Sequence, residues 1–167
     1  KENSFRQGEG TEYARSHIKT RIRFNENAEA GINANVQWGK SKKSFLWLNA
    51  EEGAYQTTGG TLTENLSSRI ILDPYFRWAD KNGGQHQILG RYYFTNNVSE
   101  NGVSNQSNRM QQVFGDYQFQ RLFKDYDLVF TAGVNGSHTV SLAQLFGDTT
   151  NTASNAAIYG ELSKKFF

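Results

Sequence analysis

Apolar and polar residues alternate along much of this chain, most clearly in the segment AEAGINANVQWG at residues 28–39. Ala28, Ile32 and Trp38 fall on one side of an extended segment, while glutamate, asparagine and glutamine fall on the other. A period of two predicts a β-strand whose two sides meet different environments. The apolar side could face a protein core with water behind it, or lipid with a wet lumen behind it.

The same pattern predicts seven strands bounded by turn-forming residues. They span residues 16–24, 28–45, 68–79, 85–95, 110–123, 127–136 and 156–166. Short turns are expected at 25–27, 80–84 and 124–126, and long loops at 49–65, 96–108 and 137–155. Outer-membrane barrels sort their connections in this way, with short periplasmic turns and long extracellular loops. Pro74 lies inside the third strand, where its missing N–H predicts a local irregularity.

Aromatic residues cluster at two levels about ten residues apart, as in the two interfacial girdles of a membrane barrel. The level beside the short turns and the chain end comprises Phe24, Trp78, Phe123, Tyr126 and Phe166, and the other level comprises Trp38 and Phe94. The apolar side also carries the small residues Ala28, Ala30, Ala34, Gly90, Gly115, Ala132 and Gly160. Such small side chains would underfill a soluble core, whereas lipid chains adapt to them.

The composition fits a β protein of one domain that is polar overall and rich in aromatic residues. The 167 residues include 12 Phe, 8 Tyr, 3 Trp and 16 Gly, yet the mean hydropathy is −0.69. A net charge of +2 from 18 basic and 16 acidic residues gives no reason to expect a nucleic-acid partner. The absence of cysteine excludes disulfides and thiolate metal sites. No apolar run reaches the roughly 18 residues of a membrane helix.

No motif predicts catalysis, a cofactor or a metal site. His17, His86 and His138 lie on separate segments without the spacing of metal ligands. The segment DKNGG from Asp80 lacks the later acidic ligands of a calcium loop, so we interpret it as a hairpin turn. Neither a nucleophile elbow nor a phosphate-binding loop is present in the sequence. We therefore expect a protein that is not an enzyme.

Four segments, in their order and spacing, resemble the barrel of TonB-dependent outer-membrane receptors of the Bacteroidetes type. They are SFLWLNAEEGAYQ, RIILDPYFRWADKNGGQHQILGRYYFTNN, FGDYQFQRLFKDYDLVFTAGV and LFGDTT. The resemblance runs from about Glu12 to Phe167. It implies an all-β, antiparallel up-and-down transmembrane β-barrel of about 22 strands with a plugged lumen, of which this chain supplies about seven.

The resemblance also implies a function and a set of partners. Receptors of this family import a scarce nutrient (an iron chelate, cobalamin, a glycan or a peptide) across the bacterial outer membrane. A periplasmic TonB-type coupling protein drives the import through an N-terminal plug. Residues 1–167 show neither a plug domain nor a coupling box, so we expect a single barrel segment. Its expected partners are membrane lipid, the rest of the barrel and plug, the coupling protein and a surface lipoprotein.

Within this interpretation, substrate contacts are expected from the long loops and from the polar side of the strands. The candidate substrate-binding residues are Trp47, Tyr55, Arg21, Arg69 and Arg91. Each could equally serve as ordinary lumen packing or as part of a salt bridge.

Two other interpretations fit the alternation. One is a self-contained small outer-membrane barrel, closed by an eighth strand from residues 1–14. The other is a soluble β-barrel or sandwich that binds a small apolar ligand. The soluble form predicts a pocket lined by Ile22, Ile32, Trp38, Phe76 and Phe94.

Overall fold

The computed structural model consists of strands joined by turns. It describes residues 8–44, 46, 48, 51, 56–58, 60–99, 106–144, 147 and 149–164, and the backbone of residues 2–3 and 100. The strands are β1 (Glu2–Asn3), β2 (Gly10–Asn25), β3 (Ala28–Ser44), β4 (Leu62–Ala79), β5 (Gly84–Glu100), β6 (Asn108–Phe123), β7 (Leu128–Ala143) and β8 (Thr149–Lys164). A 3₁₀ turn, Lys124–Tyr126, joins β6 to β7. Across these residues, no helix is long and apolar enough to cross a membrane.

All strands lie in one antiparallel sheet, in chain order from β1 to β8. The predicted all-β, up-and-down arrangement is therefore confirmed. In the described part of the chain β8 pairs only with β7, and the outer side of β2 is paired only at Gly10 and Thr11, so the sheet is not closed into a barrel. The small-barrel interpretation assigned residues 10–14 to a separate closing strand, but they form the start of β2.

The strands are longer, and the connections shorter, than the sequence pattern predicted. The loop expected at 137–155 is wrong over most of its length, because β7 continues to Ala143 and β8 begins at Thr149. The loops expected at 49–65 and 96–108 are shortened in the same way by β4 and β5. Backbone ladders need no apolar side chains, so polar asparagine, serine and threonine residues continue the pairing after the alternation ends.

The pairing register collects the alternating residues of every long strand on the same two sides of the sheet. One row of successive Cα partners from β2 to β8 is Ile22, Ala30, Phe76, Ile88, Tyr117, Val134 and Ile158. The adjacent row is Arg21, Gly31, Tyr75, Leu89, Asp116, Asn135 and Ala157. Side chains of neighbouring rows point to opposite sides. We call the side of the first row the apolar face and the other side the polar face.

The apolar face is not covered by any other layer of the described structure. No apolar side chain in that part of the chain is buried, and Ile158, Ile22 and Val113 are 88%, 60% and 56% exposed. The accessible surface of 12014 Å² exceeds the roughly 8,300 Å² typical of a compact monomer of 18.9 kDa. Of the residues predicted to line a soluble pocket, Ile22 and Trp38 are exposed, and Ile32, Phe76 and Phe94 are only partly shielded.

Pro74 interrupts the ladder without shifting it. On the β5 side, pairing stops after Leu72 and resumes at Tyr75 in the same register. Gly90 lies against the proline ring, where an added Cβ would stand 3.1 Å from Pro74 Cγ. The predicted irregularity is therefore confirmed, as a gap in the pairing that a facing glycine accommodates.

Candidate functional site

On β3 the apolar face is limited to a band between two borders. On β3 it extends from Ala28 to Trp38, which is about 33 Å of strand at about 3.3 Å per residue. One row beyond Trp38 the same face becomes ionic, because the Lys40 and Lys42 ammonium groups lie 2.6 and 2.8 Å from the Glu64 carboxylate. On β3 the change from apolar to charged surface therefore takes place within two residues, whereas Leu66 and Val98 continue the apolar face at the level of Lys40 on β4 and β5.

A row of contacting rings marks the border of the band beside the short turns. We call it the aromatic row; it comprises Phe24, Phe76, Trp78, His86, Tyr117, Phe119 and Phe130. Successive ring centroids lie 4.5–6.4 Å apart. The contact between Phe24 and Phe76 passes over β3, where the small Ala30 is the Cα partner of Phe76. The small residues of this face therefore leave room for the large ones.

His86 joins the aromatic row to the turn between β4 and β5. Its Nδ1 lies 2.8 Å from the Tyr117 hydroxyl, and its Nε2 lies 3.3 Å from Asp80 Oδ2. The other Asp80 oxygen accepts hydrogen bonds from the backbone N–H groups of Asn82 and Gly84, at 2.7 and 2.8 Å. The Gly84 N–H is the main cause that lowers the pKa of the Asp80 carboxyl below its ordinary value of 3.8. The DKNGG segment is thus a hairpin turn, as predicted.

The structure places the three predicted arginines on the polar face, but not in contact with one another. Arg21 donates from Nε to Glu29 at 2.9 Å, and Arg91 donates to both oxygens of Asp73 at 2.6 and 3.0 Å. No ion pair joins Arg69 to another described residue. Trp47 and Tyr55 lie outside the described residues.

The register adds four further cations to the same face. Together they form what we call the basic wall, on β2, β4 and β5: Arg15, Lys19, Arg21, Arg23, Arg69, Arg77 and Arg91. The acidic residues among them are Glu29 on β3 and Asp73 on β4. The polar face of β6, β7 and β8, which we call the amide wall, carries Asp116 and Glu161 and no basic residue within its described strands. The polar face is therefore divided into a positive and a weakly negative half.

Two tyrosine rings lie against glycines of the polar face. An added Cβ at Gly31 would stand 2.6 Å from the Tyr75 ring, and one at Gly133 would stand 2.3 Å from the Tyr159 ring. Tyr159 extends from β8 across β7, and its hydroxyl donates to Asp116 on β6 at 3.3 Å. These glycines are required because a side chain would displace the ring above it.

Within the basic wall, the polar face contains an open groove. Its lining includes Lys19, Asn33, Tyr75, Arg77 and Arg91. Guanidinium and ammonium groups bind carboxylate and phosphate oxygens through charge-assisted hydrogen bonds. Within the described residues, no group of three or more His, Asp or Glu side chains is placed to hold a metal ion.

The alternation in the sequence places Lys19, Arg21, Arg23, Arg69 and Arg91 opposite the apolar side, but it misses Arg15 and Arg77. Arg15 precedes the predicted first strand, and Arg77 shares odd positions with Arg69 on β4, which is the signal that could have found it. Once the strand register is known, this parity brings the cations of three strands to one face. A scan against models of known protein families found no match, and a search of curated proteins found no matching protein.

Proposed function

We propose that this chain forms part of the wall of a TonB-dependent transporter in the bacterial outer membrane, which imports a scarce nutrient such as an iron chelate, cobalamin, a glycan or a peptide. The observation that carries the proposal is the uncovered apolar band on one face of an up-and-down sheet with open edges. Soluble monomers rarely expose apolar patches larger than a few hundred Å². Lipid is the environment that such a band suits best.

The height of the band supports this environment. A barrel strand tilted by about 40° projects 33 Å of its length onto about 25 Å of membrane normal, which is the height of the apolar belt of outer-membrane barrels. The strands themselves have 16–18 residues, more than the 9–11 needed to cross the hydrocarbon. Their polar ends would then project beyond one side of the membrane.

Both borders of the band carry side chains suited to a membrane interface. The Arg121 guanidinium lies 5.2 Å from the centre of the Phe123 ring near the short turns, and that of Arg109 lies 5.3 Å from the Phe94 ring at the other border. Trp78 lies on the first border. Amphipathic side chains of these kinds collect where hydrocarbon meets headgroups.

The open edges of β2 and β8 support the proposal that other strands complete this wall. Unpaired backbone N–H and C=O groups are too costly to leave in hydrocarbon, so every membrane strand needs a neighbour on each side. The assignment to the TonB-dependent class rests on the four resembling segments and on the sorted connections. The substrate would bind on the polar face, where Arg21, Arg69 and Arg91 lie.

The proposal is tested on the full-length protein in its native cells. Fractionation should place it in the outer membrane, and its deletion should slow growth when one of iron chelate, cobalamin, glycan or peptide is limiting. Depletion of the TonB-type coupling protein should produce the same defect, and add nothing in the deletion strain. Recovery of the protein in the soluble fraction, or growth that is unaffected in all four media, would contradict the proposal.

A further inference from the structure

The charge division of the polar face points to the chemistry of the transported solute. We propose that the basic wall binds and guides an anionic solute, one that carries carboxylate or phosphate groups. This inference rests on the proposed function, because it takes the polar face to be the wet face of the barrel. It adds the charge class of the substrate, which the resemblance leaves open.

The first support is the excess of positive charge. Seven basic and two acidic residues stand on the polar face of β2 to β5 between the levels of Arg15 and Arg23. Glu29 accepts from Arg21 and also lies 3.7 Å from the Arg77 guanidinium, and Asp73 accepts from Arg91, so both acidic residues are already paired. The remaining cations exceed what the acidic residues can neutralise, so the wall attracts anions.

The second support is the direction in which the cations are arranged. On β2 they follow one another at Arg15, Lys19, Arg21 and Arg23, which is every second or fourth residue. Neighbours are therefore about 7–13 Å apart along the strand, close to the screening length of about 8–10 Å in physiological salt. An anion can pass from one cation to the next across the whole band without leaving a favourable potential.

The third support is the groove halfway along this path. Lys19, Arg77 and Arg91 converge on it from three strands. The buried Oδ1 of Asn33, which also lines the groove, has no hydrogen-bond partner in the structure. Rotation of this amide offers either an acceptor or a donor to a bound solute. Asp73, which pairs with Arg91, also lines the groove, so the groove combines three cations with one carboxylate and an adaptable polar group.

The amide wall makes the preference selective. Its strands carry Asp116 and Glu161 and no cation on the polar face, so the field is directed towards the basic wall. A basic wall could instead dock an acidic protein surface that fills the lumen. An open groove and a row of cations that spans the full band favour a small solute that moves.

The experiment uses two single cysteines in the full-length protein in outer-membrane vesicles, with any cysteine outside these residues replaced by serine. The 167 residues contain no cysteine, so the background is low. Gln37→Cys has Arg15 and Arg69 as its Cα partners, and Thr139→Cys on the amide wall has Gln112 and Ala153. Asn35→Cys, on the same face of β3 as Gln37, is a second reporter if Gln37→Cys folds poorly.

Each cysteine is labelled with an anionic and a cationic methanethiosulfonate of similar size. The anionic-to-cationic rate ratio at Gln37→Cys should exceed that at Thr139→Cys by about ten-fold at low salt, since a local potential of about one kT acts oppositely on the two reagents. The ratio should approach that of the control at high salt and fall with the added Arg69→Gln change. Pyrophosphate or citrate at about 1 mM should slow labelling by a neutral methanethiosulfonate about two-fold, whereas maltose should not.

Three outcomes would overturn the inference, and they differ in what else they exclude. Equal ratios at the two cysteines would contradict the proposal of an anionic solute but would not contradict the proposed transporter. A Gln37→Cys that resists every reagent while Thr139→Cys reacts would indicate an acidic protein partner on the basic wall. If neither cysteine reacts with water-soluble reagents and both react with a lipid-soluble maleimide, the faces are reversed and the proposed function fails as well.

Discussion

The imidazole of His86 lies flat on the indole of Trp78, with ring centroids 4.5 Å apart and ring planes within 3° of parallel. The two residues are direct Cα partners across β4 and β5. His86 also contacts the Tyr117 hydroxyl and the Asp80 carboxylate, so it connects the aromatic row to a turn. One histidine therefore couples the apolar face to the polar turn next to it.

This stack predicts a measurable coupling between the two residues. In a double-mutant cycle of Trp78→Ala and His86→Ala, the free energies of unfolding in lipid vesicles should depart from additivity by about 0.5–1.5 kcal/mol. The cycle cancels the hydrogen bonds that His86→Ala also removes. Trp38→Ala, at the other border of the band, should be additive with His86→Ala. Equal additivity for both pairs would show that the stack contributes nothing.

The tyrosine-covered glycines predict a contrast between chemically identical substitutions. Gly133→Ala should lower the free energy of unfolding by about 1–3 kcal/mol, because the new methyl group collides with the Tyr159 ring and the Tyr117 carbonyl. Gly115→Ala has nothing within 4 Å of the new Cβ and should be neutral or slightly stabilising. Urea unfolding of both variants measures the difference, and equal effects would contradict the geometry.

The lowered pKa of Asp80 predicts that the turn between β4 and β5 stabilises the protein less in acid. A carboxyl with a lowered pKa stabilises the folded state above its ordinary pKa of 3.8, and the contribution is lost as the pH falls through the lowered value. The difference in unfolding midpoint between the native protein and Asp80→Asn should therefore be constant above about pH 5 and shrink below about pH 4. Asn82→Ala keeps the carboxylate and should follow the native profile. A difference that does not vary with pH would exclude this role.

The Arg91–Asp73 ion pair predicts a small effect on stability and a larger one on the local field. Asp73→Asn should cost under about 1 kcal/mol, because the Arg91 side chain is 54% exposed. It also removes one of the two acidic residues of the basic wall. A cysteine at Asn33, the Cα partner of Asp73, should then show an anionic-to-cationic labelling ratio raised by about two- to three-fold. An unchanged ratio would mean that the Asp73 carboxylate does not reduce the positive potential of the basic wall.

How much the sequence predicts depends on the kind of side chain involved. The alternation locates β3 to within one residue of its end at Ser44, because apolar and polar residues alternate over most of its length. It fails beyond Gly136 on β7, where Ser141 pairs with Asn151 through the backbone and neither side chain signals a buried face. A polar strand end and a polar loop have the same composition, and only the ladder distinguishes them.

The sequence predicts the face of the sheet on which the candidate residues lie, but not the residues with which they pair. Parity assigns Arg21, Arg69 and Arg91 to the polar face, and the register confirms that placement. The pairing of Arg91 with Asp73, eighteen residues away, depends on how β4 and β5 align. The substrate roles of all three arginines remain predictions, as do those of Trp47 and Tyr55, which lie outside the described residues.

The membrane environment of the sheet is tested most directly at two adjacent residues on β7. Val134 lies on the apolar face and Asn135 on the polar face. Single cysteines at these positions, in the full-length protein in native outer membranes, are labelled with a lipid-soluble maleimide and with a membrane-impermeant one. We expect Val134→Cys to react only with the lipid-soluble reagent and Asn135→Cys to react with the impermeant one. Rapid reaction of Val134→Cys with the impermeant reagent would place the apolar face in water or against protein, and would contradict a membrane wall.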